Sequence, residues 1–175
     1  MSLVPVADLR AYLREDGATD AGLQAALEAA EAAVAAYIGG PTLAERAATE
    51  VHRLPRAKTL VEVRDGPLTA LSKALLDGEE ITAELQTSFW AVARYEPLPE
   101  GAELELQFTA GWTSVNLPAQ VKQAVLMAAA SIYARPDAGV ARLGSPDGSW
   151  TGYHRSYLSP DVRKMLEPYR RPSWT

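Results

Sequence analysis

One stretch constrains this chain more than any other: NLPAQVKQAVLMAAASIYAR, residues 116–135. Pro118 suits the first turn of a helix, where its missing N–H satisfies nothing anyway. Val121, Val125, Ala128 and Ile132 then recur at helical spacing. Ala124, Met127 and Ala130 widen that stripe, and Leu126, Ala129 and Tyr133 fill the far side. Within the body only Gln120, Lys122, Gln123 and Ser131 are polar. A helix that is apolar all round must be buried on every side. Its candidate contact residues are Val121, Val125, Leu126, Ala129, Ile132 and Tyr133. They serve as the centre of the chain's own core, as a contact with a neighbouring subunit, or as both.

The rest of the chain must supply that cover. Hydrophobic residues are 47% of the 175, enough for a sizeable core in a domain of this length. No run reaches the roughly 18 apolar residues of a membrane span, and MSLVPVADLR lacks the basic head and apolar run of a signal peptide. The expectation is a soluble protein made in a cytoplasm.

Ahead of the apolar helix the sequence changes period twice. PVADLRAYLRED places Val6, Leu9 and Leu13 on one helical face, with Gly17 as the break. A longer helix follows, capped by Thr19 or Asp20. Leu23, Leu27, Ala30, Val34 and Ile38 form its stripe, and Gly39, Gly40 and Pro41 close it. From Ala47 to Trp112 short runs lie between turn signals: Asp65-Gly66-Pro67, Asp77-Gly78 and Pro97 to Gly101. In the last run Leu104, Leu106 and Phe108 alternate with Glu103, Glu105 and Gln107, a strand with one dry and one wet face.

Beyond Arg135, residues 136–157 are rich in Gly, Pro, Ser and aromatics and read as a long irregular loop. LSPDVRKMLEPYRR then restarts a helix, with Ser159 as cap, Pro160 in the first position and Asp161 at the positive end. The expected fold is therefore α+β and mainly helical. It is a bundle of two N-terminal helices (1–46), the apolar helix (114–135) and a short C-terminal helix. A small antiparallel sheet (47–113) is inserted, and a loop, helix and tail (136–175) end the chain.

Little in the sequence points to catalysis. The net charge of −5 argues against a protein that holds nucleic acid by neutralising phosphates. Without cysteine there are no disulfides, thiolate nucleophiles or Cys-based zinc sites. His52, in a strand or at its edge, and His154, in the loop, have no second ligand at helical or hairpin spacing, so no metal is expected. No G-x-S-x-G motif occurs, and LGSPDGSWTG lacks the lysine of a phosphate loop. Glu79, Glu80 and Glu84 read as a solvated turn rather than an acid/base set. No cofactor is expected.

Charge is unevenly spread. From Ala141 onward six Lys/Arg face three Asp/Glu, while the preceding residues hold eleven against nineteen. An acidic body with a basic, aromatic end suggests that the two contact different surfaces. Trp90 and Trp112 adjoin strands and should pack the sheet. Trp174 lies beside Arg170 and Arg171 in the tail, the residue types that anchor protein interfaces. Trp150, in the loop, suits core and interface equally.

Taken in order, these motifs resemble the head–tail connector proteins of tailed bacteriophages, also called adaptor or head-completion proteins. Residues 6–40 look like that family's opening helix pair. Leu104 to Trp112 looks like its strand running into a Thr-Ala-Gly-aromatic turn. Residues 116–137 look like its Leu-Pro-started apolar helix, and residues 158–171 like its closing helix with a Tyr-Arg-Arg end. The loop 139–157 does not align position by position. The resemblance implies a structural virion protein without catalytic activity, assembled in the host cytoplasm and sited at the portal vertex. It implies a homo-oligomeric ring, usually a dodecamer, beneath the portal protein. Such a ring extends the DNA channel, passes DNA without specific binding and presents a platform to the next connector or tail protein. It also implies a C-terminal segment docked on the portal, here Tyr169, Arg170, Arg171 and Trp174. The alternatives are another neck or tail-completion protein of different topology and a small-ligand-binding α+β module.

Overall fold

The computed structural model describes residues 2–14, 18–134, 141–144, 150–153 and 158–172. The chain divides into two compact units. One comprises residues 1–37 and 117–168, the other residues 38–116 and 169–175.

The first unit is helical. Helix α1 (Val6–Leu13) ends with Arg14 in the left-handed region, φ 56°, its N–H donating to the Arg10 carbonyl. The helix thus stops before Gly17, which lies outside the described residues. Helix α2 (Asp20–Ile38) begins at Thr19, whose Oγ1 accepts from the Gly22 N–H at 3.3 Å, and ends at Gly39 with φ +97°. Its stripe of Leu23, Leu27, Ala30, Val34 and Ile38 is fully buried. Helix α3 (Ala119–Ala134) packs against α1 and against α4 (Pro160–Leu166). Lys122 Nζ pairs with Asp8 Oδ2 at 2.7 Å, tying α3 to α1. Leu9, Leu23, Leu27, Val34, Val125 and Leu166 are the principal large side chains buried in this unit.

The second unit is built of strands. β1 (Arg46–Arg53), β2 (Lys58–Glu62), β3 (Leu68–Leu76), β4 (Glu79–Glu80), β5 (Leu85–Ser88), β6 (Ala91–Leu98) and β7 (Glu103–Ala110) make two antiparallel sheets. One has the order β1-β7-β3-β4, the other β2-β6-β5. They share one core, in which Val61 and Val92 from the second sheet, with Val63 just after β2, meet Leu104, Leu106 and Phe108 from the first. Gly111, φ +83°, turns the chain out of β7; a Cβ there would lie 2.4 Å from the Ala44 carbonyl oxygen.

This corrects the expected architecture. The protein is a mixed α+β fold with substantial sheet, not a mainly helical bundle carrying a small insert. Two features hid the extent of the sheets. The inward-leaning face of β1 is Arg46, Ala48, Glu50 and His52, so polar groups replace the apolar alternation that marks a strand. In β3, irregularities between Leu68 and Ala70 and between Leu71 and Lys73 interrupt the period of two. The segment 136–157 also departs from a uniform loop: β8 (Ala141–Gly144) and β9 (Trp150–Tyr153) pair antiparallel. They flank Ser-Pro-Asp-Gly-Ser, a turn-type composition between two short runs, which is a hairpin signal.

Candidate docking site at the C-terminal end

The site grows out of α4. Ser159 Oγ accepts from the Val162 N–H at 3.3 Å, Pro160 occupies the first position and Asp161 lies in the first turn. Val162 and Leu166 are buried. A tight turn, Glu167–Tyr169, follows. Within the helical unit, the Tyr37 hydroxyl donates to Glu167 Oε2 at 3.1 Å.

From Tyr169 the chain belongs to the β unit, and it is held there by four kinds of contact. The Tyr169 ring lies 5.7 Å from Phe89 and 6.1 Å, edge-on, from Trp112, while Phe89 and Trp112 meet at 6.3 Å. Edge and tilted arrangements at these separations are favourable beyond their area burial. Trp90 Nε1 donates to the Tyr169 carbonyl at 2.8 Å. The Arg171 N–H donates to the Ile38 carbonyl at 2.8 Å. The Arg171 guanidinium stands 3.7 Å from Glu62. Two glycines make room. A Cβ at Gly39 would come within 2.9 Å of Arg171 Cβ, and one at Gly66 within 2.6 Å of the Trp90 ring.

Of the four residues expected to dock on a partner, Tyr169 and Arg171 are thus engaged within their own unit. Arg170 is exposed, and Trp174 lies outside the described residues, as do His154 and most of the 139–157 loop. Trp90 and Trp112 are buried at 4% and 3% exposure. Phe89 remains 38% exposed at the edge of the aromatic group. Sequence reading missed this clamp because its partners lie far apart in the chain, Trp112 and Trp90 well before Tyr169; the one available signal was the Phe89-Trp90 pair at a strand turn. Of the apolar helix, Val121, Val125, Leu126 and Ala129 are buried within the helical unit, and Ile132 and Tyr133 are half-buried.

Two carboxylates do unusual work. Glu50, with 9% of its side chain exposed, sits 2.8 Å from His52 Nε2. It also accepts the N–H groups of Arg64 at 2.9 Å and Asp65 at 2.6 Å. Burial alone would push its carboxyl up; the His52 contact and the two backbone donors outweigh that and hold it below its ordinary value. Arg46 reaches the Asp65 carbonyl at 2.9 Å, so β1 latches the turn before β3. Glu31 accepts the Leu3 and Val4 N–H groups at 2.7 and 3.0 Å. There burial dominates, and the carboxyl is raised. Both are bonded to backbone, as structural groups are. Among the described residues no three His, Asp or Glu side chains gather as a metal site. Two open depressions on the β unit, of about 530 and 540 Å³, are lined by Arg56 to Leu60 with Pro97, and by Arg53, Asp77, Glu103 and Glu105 among others.

Comparison with known proteins bears on what such a chain is for. No curated protein matches the sequence. The fold is similar to chains solved in the neck of an empty GTA particle (C6 symmetry) and in the virion of a native gene transfer agent (GTA) particle. The TM-scores are 0.60 and 0.59, with 22% identity over 99% of this chain and 92% of each of those. A chain from the neck of the native GTA particle, computed with C12 symmetry, matches at 0.55 with 22% identity, over 99% of this chain and 91% of that one. At that identity the likeness is one of fold. The model of the head completion protein family matches residues 2–172, nearly the whole sequence, and includes each motif that carried the resemblance. The chain belongs to the head completion protein family.

Proposed function

We propose that this chain is a structural protein of the virion neck. It forms a ring beneath the portal, extends the DNA channel and offers a platform to the next neck or tail component. The observation that carries the reading is the family match over residues 2–172. It is supported by a fold shared, over nearly the full length, with chains of GTA necks computed with C6 and C12 symmetry. The C12 symmetry of the second supports a ring of twelve.

The chemistry is consistent with that role. The described carboxylates with displaced titration are bonded to backbone groups rather than facing a pocket. A net charge of −5 lets DNA pass without being held, since surplus carboxylates near a lumen repel phosphates. The C-terminal end docks on the portal, with Tyr169 and Arg171 anchoring it to the β unit and Arg170 and Trp174 making the contact. The test is electron microscopy and native mass of the purified protein, alone and with the portal of its own particle. A ring on the portal is expected. A chain that stays monomeric and leaves the portal bare refutes the proposal.

A further inference from the structure

The two strand orders sort charge across the β unit. The turn after Arg53 joins β1 to β2, the turn after Leu98 joins β6 to β7, and β3 packs beside β5. Hence β1 and β2 form one margin of the paired sheets, and β4 and β5 the opposite one. The first margin carries Arg56, Lys58 and Arg64. Arg56 and Lys58 line the depression that includes the exposed Leu60 and Pro97. Of the carboxylates on that margin, Glu50 is engaged by His52 and backbone, Glu62 by Arg171 and Asp65 by Arg46. The opposite margin carries Asp77, Glu79, Glu80 and Glu84, all exposed. Arg94, on the neighbouring β6, is taken up by Glu84, with Nε to Oε2 at 2.8 Å. Among the described residues, no ion-pair partner faces Arg56, Lys58 or Glu79.

Both margins are also open strand edges. Among the described residues, β2 and β5 each pair only with β6, β1 only with β7, and β4 only with β3. Unpaired edges invite addition of another chain, and proteins usually blunt or cover them. A basic edge on one side and an acidic edge on the other suits a head-to-tail contact between identical copies, which covers both edges of every copy once the ring closes.

We propose that neighbouring copies meet through their β units, the β1–β2 margin of one against the β4–β5 margin of the next. Arg56 and Lys58 face Glu79 and Glu80 across that contact. This rests on the ring reading above and names the surface that builds the ring.

The test uses charge reversal in the full chain, with ring formation on the portal read by electron microscopy and native mass. Arg56→Glu with Lys58→Glu places like charges across the contact and should lower the assembly constant at least about tenfold. Glu79→Lys with Glu80→Lys should do the same from the other side, and Glu79→Gln with Glu80→Gln should give a smaller loss. The decisive protein carries all four reversals. Each of its copies again has complementary margins, so assembly should return to within a few-fold of wild type. Melting curves check that every variant folds. Reversed doubles that assemble like wild type, or a four-site variant no better than the doubles, overturn the proposed contact while leaving the ring intact. Loss that appears only with the Arg56 and Lys58 variants overturns it too, and assigns that margin to an acidic partner other than a second copy. A wild-type protein that never forms rings fails the ring reading itself.

Discussion

Replacing Glu50 tests how the β unit is held together. Its carboxylate accepts from the Arg64 and Asp65 N–H groups and contacts His52, with 9% of the side chain exposed. Hydrogen bonds to a charged acceptor contribute roughly 1.5–3 kcal/mol each, and a buried donor left without a partner costs about 1–3 kcal/mol. Asp65 is half-buried, whereas Arg64 is exposed and its N–H can turn to water. Glu50→Ala therefore forfeits one strongly held donor and part of a second, and we expect a loss of about 2–4 kcal/mol. Glu50→Gln keeps a neutral acceptor and should lose about half as much. Arg53 and Glu103 give the control: they stand 3.5 Å apart at 88% and 52% exposure, and Glu103→Ala should change stability by no more than about 0.5 kcal/mol. Urea unfolding followed by tryptophan fluorescence reads chiefly the β unit, where Trp90 and Trp112 are buried. The pH profile adds a second readout. Because the folded carboxyl is held below its ordinary 4.5, the unfolded chain takes up the proton first. The stabilisation is complete above about that value and is lost as pH falls through the folded one. A Glu50→Ala protein within 0.5 kcal/mol of wild type, with an unchanged acid limb, would refute the latch.

Three further outcomes are expected. Glu31 titrates in the opposite sense: its folded carboxyl is raised above 4.5, so wild type should lose stability as pH rises from that value through the folded one, and Glu31→Gln should flatten that slope in melting scans. Gly111→Ala forces a Cβ to 2.4 Å from the Ala44 oxygen at φ +83°; a loss of about 2 kcal/mol or more in denaturant titration is expected. Ending the chain after Pro168 removes the Tyr169 and Arg171 contacts and should lower the β unit's melting temperature by several degrees. Ending it after Pro172 should leave that temperature unchanged and weaken only portal binding.

The helices were legible because their physics is local. The stripes of α2 and α3, the Thr19 and Ser159 caps and the Gly39 stop each lie within a few residues of what they control. β7 was legible for the same reason, its dry and wet residues alternating without a break. What stayed hidden is long-range. β1 turns Glu50 and His52 to the half-buried face where an isolated strand would show Val or Ile. Nothing near Tyr169 in the sequence says that Trp90 will bind its carbonyl. The family resemblance, spread over four motifs in order, carried further than any one of them, but it said nothing of how much sheet lies between helices.

The chain visits the helical unit twice, at residues 1–37 and again at 117–168, with the strands between. During synthesis, α1 and α2 therefore emerge long before α3 and α4, which complete their core. The strands at 38–116 are contiguous and can close while the ribosome is still making α3. The early helices must wait for α3 and α4 before the core of their own unit can close. Slow or interrupted elongation past Asn116 should then leave a nascent protein with a formed sheet and a sticky amino-terminal end, the kind of species that chaperones recognise.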